Sequence, residues 1–224
     1  MSESPRAPRL NPLPDELPIF PLSGALLLPG GRLPLNIFEP RYLNMVRDAL
    51  ARGRVLGMIQ PIDLPDEAET PRDDATAVCT IGCAGRIVSF QETDDGRMLI
   101  TLKGISRFRV AEELPLGDGY RCVRADYTPF GADLRDHEGA VDRGRLTELL
   151  KRYFERQSID ADWDAIESTT DERLVTTLAM ICPFEPSEKQ ALLEAPDLAA
   201  RGTVLMGLIE MALLDDIDGA PARH

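Results

Sequence analysis

The residues with chemical potential in this 224-residue chain are few and scattered. Two carboxylate pairs, Asp94/Asp95 and Glu112/Glu113, are of the type that does general acid–base work in a hydrolase. That work needs a carboxyl group with a displaced pKa in a cleft. Both pairs fall in turns or at strand ends, with no histidine or cysteine beside them in sequence. Cys79 and Cys83 are separated by three residues, while Cys122 and Cys182 have no close companion. Zinc sites usually combine tighter cysteine spacing with histidine. His137 and His224 lie in an expected linker and at the very end. No metal and no cofactor is expected, and the thiols are read as reduced core residues. Arg107, Arg109, Arg121 and Arg124 could form a local basic patch for RNA.

Charge narrows these classes. The formal net charge is −13, with −3 in residues 1–130 and −10 in residues 131–224. A phosphate backbone is repelled at long range, so nucleic acid is a poor partner. No apolar run approaches the roughly 20 residues of a membrane span. The first residues, MSESPRAPRLNPLPDELP, lack an apolar signal region, which points to the cytoplasm.

The elements that must position these residues change character near residue 130. Before it, LPIFPL (17–22) is extended because Pro18 and Pro21 disfavour helix. Pro29-Gly30-Gly31 makes a turn into a second strand, residues 40–52 a helix, and VLGMIQ (55–60) a buried strand. Residues 61–76 form an acidic loop. Asp95-Gly96 signals a hairpin, followed by Met98, Ile100 and Leu102 on one face and Leu99 and Thr101 on the other. Phe108 and Val110 alternate there with Arg107 and Arg109. Val123, Ala125 and Tyr127 continue the pattern.

From residue 140 the spacing is helical. Thr170 or Thr169 caps 169–182, Ser187 caps the next helix, and Pro196-Asp197 opens the last. Val204–Leu214 is apolar almost all round. The fold class is therefore α+β. A β-rich unit (17–130), a small barrel or folded antiparallel sheet with one helix, precedes a four- or five-helix bundle (131–216). Residues 1–16 and 217–224 are expected to be flexible ends.

One stretch, LNIFEPRY (35–42), concentrates unusual types at a helix entry. Pro40 suits the first helical position, and a carboxylate at Glu39 suits the positive end of the helix dipole. Arg41 can pair with Glu39 or reach a buried carbonyl. One reading makes Glu39, Pro40 and Arg41 a structural corner. The other puts Phe38 and Tyr42 in direct contact with a ligand.

The phrases LPIFPL, LLPGGRLPLNIFEPRY, IGCAGRI and DGRMLITLKGISRFRV, in that order, resemble the N-terminal substrate-recognition domain of the Lon protease family. The most specific element is Phe38-Glu39-Pro40-Arg41-Tyr42, with Gly104–Val110 a second anchor. The resemblance covers residues 17 to 215. It implies a PUA-like small β-barrel followed by a helical bundle. It also implies a module that binds unfolded or partner protein segments in protein quality control. The chain has no G-x-x-x-x-G-K-[ST] loop, and Lys103, Lys151 and Lys189 lie in no nucleophile motif. The likeness therefore extends to recognition and not to cleavage, as for a free-standing member that works beside a separate ATPase or protease. An extended peptide could add to an open strand edge, or Leu26, Leu27 and Leu28 could form an apolar patch at a loop tip. The alternatives are a hydrolase of unknown substrate and a PUA-like RNA binder.

Overall fold

The computed structural model describes residues 13–62, 76–115, 119–135 and 141–215. The acidic loop expected at 61–76, His137, His224 and the C-terminal tail fall wholly or largely outside them.

The α+β class holds. Six strands come first: β1 (Glu16–Pro21), β2 (Arg32–Ile37), β3 (Val55–Ile59), β4 (Ile81–Glu92), β5 (Met98–Glu113) and β6 (Cys122–Asp126). Helix α1 (Pro40–Arg52) lies between β2 and β3. A 3-10 turn at Thr128–Leu134 leads to α2 (Arg143–Arg156), α3 (Trp163–Ser168), α4 (Asp171–Ile181), α5 (Pro186–Glu194) and α6 (Leu198–Asp215).

The strand order is β2-β5-β4-β3-β1-β6, and β6 returns to pair with β5. Five strands thus close into a ring, with β2 attached outside the closure. The length of β5 makes this possible. Its first residues, Met98–Lys103, pair with β2, and Arg109–Glu113 pair with β6. Register shifts in the β4–β5 ladder bend the pair. The expectation of short antiparallel strands needs correction twice. β4 and β5 run to 12 and 16 residues. β1 and β3 are parallel, because the chain between them goes out along β2 and returns through α1.

Local signals largely match. Pro40 starts α1, and Gly53 ends it at φ 121°. Gly96 makes the β4–β5 turn at φ 80°. The Thr170 side chain caps α4, and Asp197 accepts from the Ala200 N–H at the start of α6. Ser187 is not the cap of α5. Pro186 occupies the first helical turn, so the cap moves to Glu185, with Glu188 reaching back to the Glu185 N–H. Helix α6 buries Leu205, Met206, Ile209 and Leu213 but leaves Met211 and Leu214 exposed.

One apolar cluster joins both halves, bringing Leu27, Leu28 and Leu102 together with Leu150, Val175, Leu205 and Ile209. A smaller cluster inside the ring centres on Phe108 with Leu17, Ile19 and Val123. Packing against the ring begins before residue 17, since Leu13 touches this cluster and Asp15 O accepts from the Ala125 N–H.

The alternation around Phe108 fails at one position. Met98, Ile100, Leu102 and Phe108 face inward as expected. Arg107, expected to face outward, is only 3% exposed. The strand is covered on both faces there. The 3-10 turn and the end of α5 lie over the side that Arg107 occupies, and its guanidinium bonds Asp133 and the carbonyls of Leu193, Ala195 and Pro196.

Candidate functional site

The corner after β2 is built as two layers. Beneath, Tyr42 is buried, and its ring lies 4.2 Å from that of Phe20. Above, the Glu39 carboxylate does not cap the helix N–H groups. It accepts from Arg41 Nε at 3.1 Å and Nη2 at 2.8 Å. The Arg41 guanidinium lies 4.5 Å from the centre of the Tyr42 ring. The two charged side chains retain 24% and 42% of their exposure, so solvent screens the pair. Replacing Arg41 by Ala should therefore lower stability by less than about 1 kcal/mol, read from the urea midpoint.

Phe38 points the other way and is 61% exposed. It stands at the rim of a hollow of about 450 Å³ whose walls include Phe20, Leu22, Leu35, Tyr42 and Pro61. The free edge of β2 forms one side. Among the described residues β2 has a ladder only with β5. Pro34 sits in the middle of that edge and has no N–H to give to an added strand. Main-chain pairing along β2 is thereby interrupted, and side-chain contacts must supply most of any attraction.

Leu26, Leu27 and Leu28 require a correction. They form no surface patch, being 2%, 1% and 0% exposed. The turn that follows them is strapped to β5 by Gly30 N–H to Gly104 O (3.1 Å) and Gly104 N–H to Gly31 O (2.9 Å). A Cβ on Gly104 would lie 2.0 Å from Leu28 O, so only glycine permits this approach. The start of the loop is pinned as well. Gln60 holds Gly24 N–H and Ala25 O, and Lys189 Nζ donates to Gly24 O at 2.7 Å. The three leucines are pressed into the core between ring and bundle.

Beyond that turn lies a second, larger groove of about 720 Å³, between Gly30–Arg32 and α4. Met180 and the 68%-exposed Ile181 form its apolar part, and Arg32, Lys103 and Arg173 line it with charge. A third hollow, near Tyr120, is crossed by structural bonds. Tyr120 Oη donates to Asp48 at 2.7 Å, and Arg86 donates to Gly53 O.

The side chains with catalytic potential are tied up elsewhere. Asp95 accepts from Thr93 Oγ1 and pairs with Arg97 in the hairpin turn. The Thr93 hydroxyl pushes its pKa below the usual carboxylate range, the wrong direction for a general acid. Glu112 pairs with Arg124, and Glu113 takes two bonds from Arg121. With Arg107 buried and Arg121 and Arg124 each facing a carboxylate, the four arginines make no open basic patch. Burial pushes the Cys182 thiol up to about 11, and the wholly buried Cys83 thiol is pushed up further. Such thiols stay protonated and unreactive. Burial also draws the Lys189 ammonium below the usual lysine range, but its hydrogen bond to Gly24 O gives it a structural partner. Among the described residues no group of three His, Cys, Asp or Glu could hold a metal ion. No described helix is long and apolar enough to cross a membrane.

The structure thus brings together three of the residues singled out in sequence, Phe38, Glu39 and Tyr42. It adds Phe20, Leu22 and Leu35, which sequence reasoning missed because they converge from both sides of a turn.

Comparison with known proteins follows the same outline. A family model described as the ATP-dependent protease La (LON) substrate-binding domain matches residues 16–210. Lon protease 2 of Myxococcus xanthus is 27% identical over 219 residues, covering 93% of this chain and 26% of that protein. Lon protease 2 of Thermus thermophilus is 26% identical over 209 residues, covering 90% of this chain and 25% of its own length. The chain therefore spans about a quarter of these curated relatives. Among solved structures, the Lon N-terminal domain protein from Xanthomonas campestris superimposes with a TM-score of 0.60 at 23% identity, covering 86% of this chain and 97% of that one. The N-terminal domain of Mycobacterium avium complex Lon protease gives a TM-score of 0.58 at 16% identity, covering 87% and 98%. At these identities the two structures support the fold alone.

Proposed function

This chain belongs to the Lon substrate-binding domain family, and from that premise we propose that it holds an extended apolar segment of an unfolded or partner protein in the hollow beside Phe38, without bond chemistry of its own. The observation that carries the proposal is Phe38 itself. A large aromatic ring 61% exposed at the rim of an apolar hollow, with the Arg97 guanidinium 5.8 Å from its centre, offers an apolar segment a continuous surface to cover. Covering a ring of that size stabilises a complex by roughly 1.5–3 kcal/mol. A few such contacts give reversible binding, the behaviour a recognition module needs.

Several features favour this reading over its rivals. The carboxylates that a hydrolase would need serve a turn and cross-strand ion pairs. The basic patch that an RNA binder would need is dissolved into those same pairs, although the closed ring of strands fits the PUA-like small-barrel class. The four free thiols suit a reducing, cytoplasmic setting. The matched relatives are about four times longer than the aligned region, and the role proposed for this chain is limited to holding the segment.

The test is fluorescence anisotropy with a dye-labelled, neutral peptide of about a dozen residues bearing a central Leu-Phe-Leu. Phe38→Ser should weaken binding about tenfold or more, with the melting curve unchanged because the ring is exposed. Equal affinity for both proteins would overturn the proposal. Denatured casein incubated with the protein, with and without ATP, should remain intact.

A further inference from the structure

We infer that the segment bound beside Phe38 is apolar at one end and acidic about one strand-length away, its carboxylates being received by Arg32, Lys103 and Arg173. This rests on the proposed apolar hollow and specifies the chemistry of its occupant.

The chain is strongly acidic, with 38 Asp and Glu against 25 Lys and Arg. Against that background the 720 Å³ groove is an exception, because three cations line it and Glu172 is the one carboxylate among its described lining residues. None of the three cations forms an ion pair with a described residue. This contrasts with Arg41, Arg107, Arg121, Arg124, Arg143 and Arg145, each of which has a carboxylate partner.

The register supplies an independent observation. Arg32 and Lys103 stand directly opposite each other in the β2–β5 ladder. Like charges at directly opposed positions destabilise a sheet. An anion placed between them removes the repulsion.

Strand β2 connects the two sites. Arg32, its first residue, lines the cationic groove, and Pro34–Ile37 line the apolar hollow. At about 3.3 Å per residue the strand covers roughly 17 Å. An extended chain lying along it places a carboxylate in the groove when that carboxylate is about five residues from the apolar anchor.

The probes are dye-labelled peptides that share the Leu-Phe-Leu anchor and carry Glu, or Gln, about five residues away. A third peptide carries the same Glu residues immediately beside the anchor. The Glu peptide should bind the wild-type protein about tenfold more tightly than the Gln peptide at low salt, through exposed ion pairs of modest individual strength. The gain should shrink at high salt. It should also vanish in a Lys103→Gln/Arg173→Gln double variant, whose altered side chains are exposed and whose fold is checked by circular dichroism. Bulk electrostatics predicts the opposite preference, because the protein's net charge is −13. Equal affinity for the Glu and Gln peptides, a preference that survives the double variant, or an equal gain from Glu beside the anchor would overturn the inference. If the Gln peptide binds and Phe38→Ser weakens it, the apolar reading survives that failure. If no peptide binds at all, both fall.

Discussion

Asp133→Ala should destabilise the protein by about 3–5 kcal/mol, the largest single effect expected from a charged residue here. Asp133 lies in a 3-10 turn, where a substitution would ordinarily be mild. Its side chain is nevertheless 1% exposed, facing an Arg107 side chain that is 4% exposed. The two Asp133 oxygens accept from Arg107 Nη2 at 2.8 Å, from Nε at 2.9 Å and from the Arg107 backbone N–H at 2.8 Å. The remaining guanidinium donors reach Leu193 O, Ala195 O and Pro196 O, so Arg107 also satisfies the open end of α5. Arg201 adds a bond to Leu192 O at 2.9 Å. Without Asp133 the Arg107 guanidinium is left charged and dry, and desolvation of that charge dominates the loss. The paired replacement Arg107→Met/Asp133→Leu removes the charge from both sides and should recover part of the stability, while the Leu193, Ala195 and Pro196 carbonyls still lose their Arg107 donors. Urea titration of the two single variants and the double variant measures the coupling. Additive losses would show that the two residues act independently. The clasp fastens β5 to the 3-10 turn and to the end of α5.

Leu28→Ala should cost about 2–5 kcal/mol, because a wholly buried leucine leaves both a cavity and unburied neighbours. Ile181→Ala, at a residue 68% exposed, should change stability by no more than about 0.5 kcal/mol. Thermal melts separate the two variants directly. Peptide affinity completes the contrast. Folded Leu28→Ala protein, assayed well below its melting point, should bind the neutral peptide as the wild type does. A stable Leu28→Ala protein that failed to bind would restore these leucines to the binding surface.

How much of this was legible beforehand depended on the range of the interaction. Helix α1 was readable from Pro40 and Gly53, the β4–β5 hairpin from Asp95-Gly96, and the α4 cap from Thr170, because each signal acts within a few residues. Arg107 was misread because alternation along a strand assumes one wet face, and its cover comes from Asp133 and the Leu193–Pro196 carbonyls, distant in sequence. Leu26–Leu28 read more readily as core than as tip, though the local sequence allows both. Gly104 decides between them by admitting the Leu28 carbonyl against β5. At the candidate site, Phe38 and Tyr42 stood out as part of an unusual phrase. Arg32, Lys103 and Arg173 did not, since nothing in their local sequence indicates that two strands and a helix will bring them to one groove.

The most direct measurement is methyl NMR on the folded protein during titration with the neutral Leu-Phe-Leu peptide. Resonances of Leu22 and Leu35, which line the hollow, should shift first and saturate together, while Met211 and Leu214 on the exposed side of α6 stay in place. Saturable binding that leaves Leu22 and Leu35 unmoved would contradict the account.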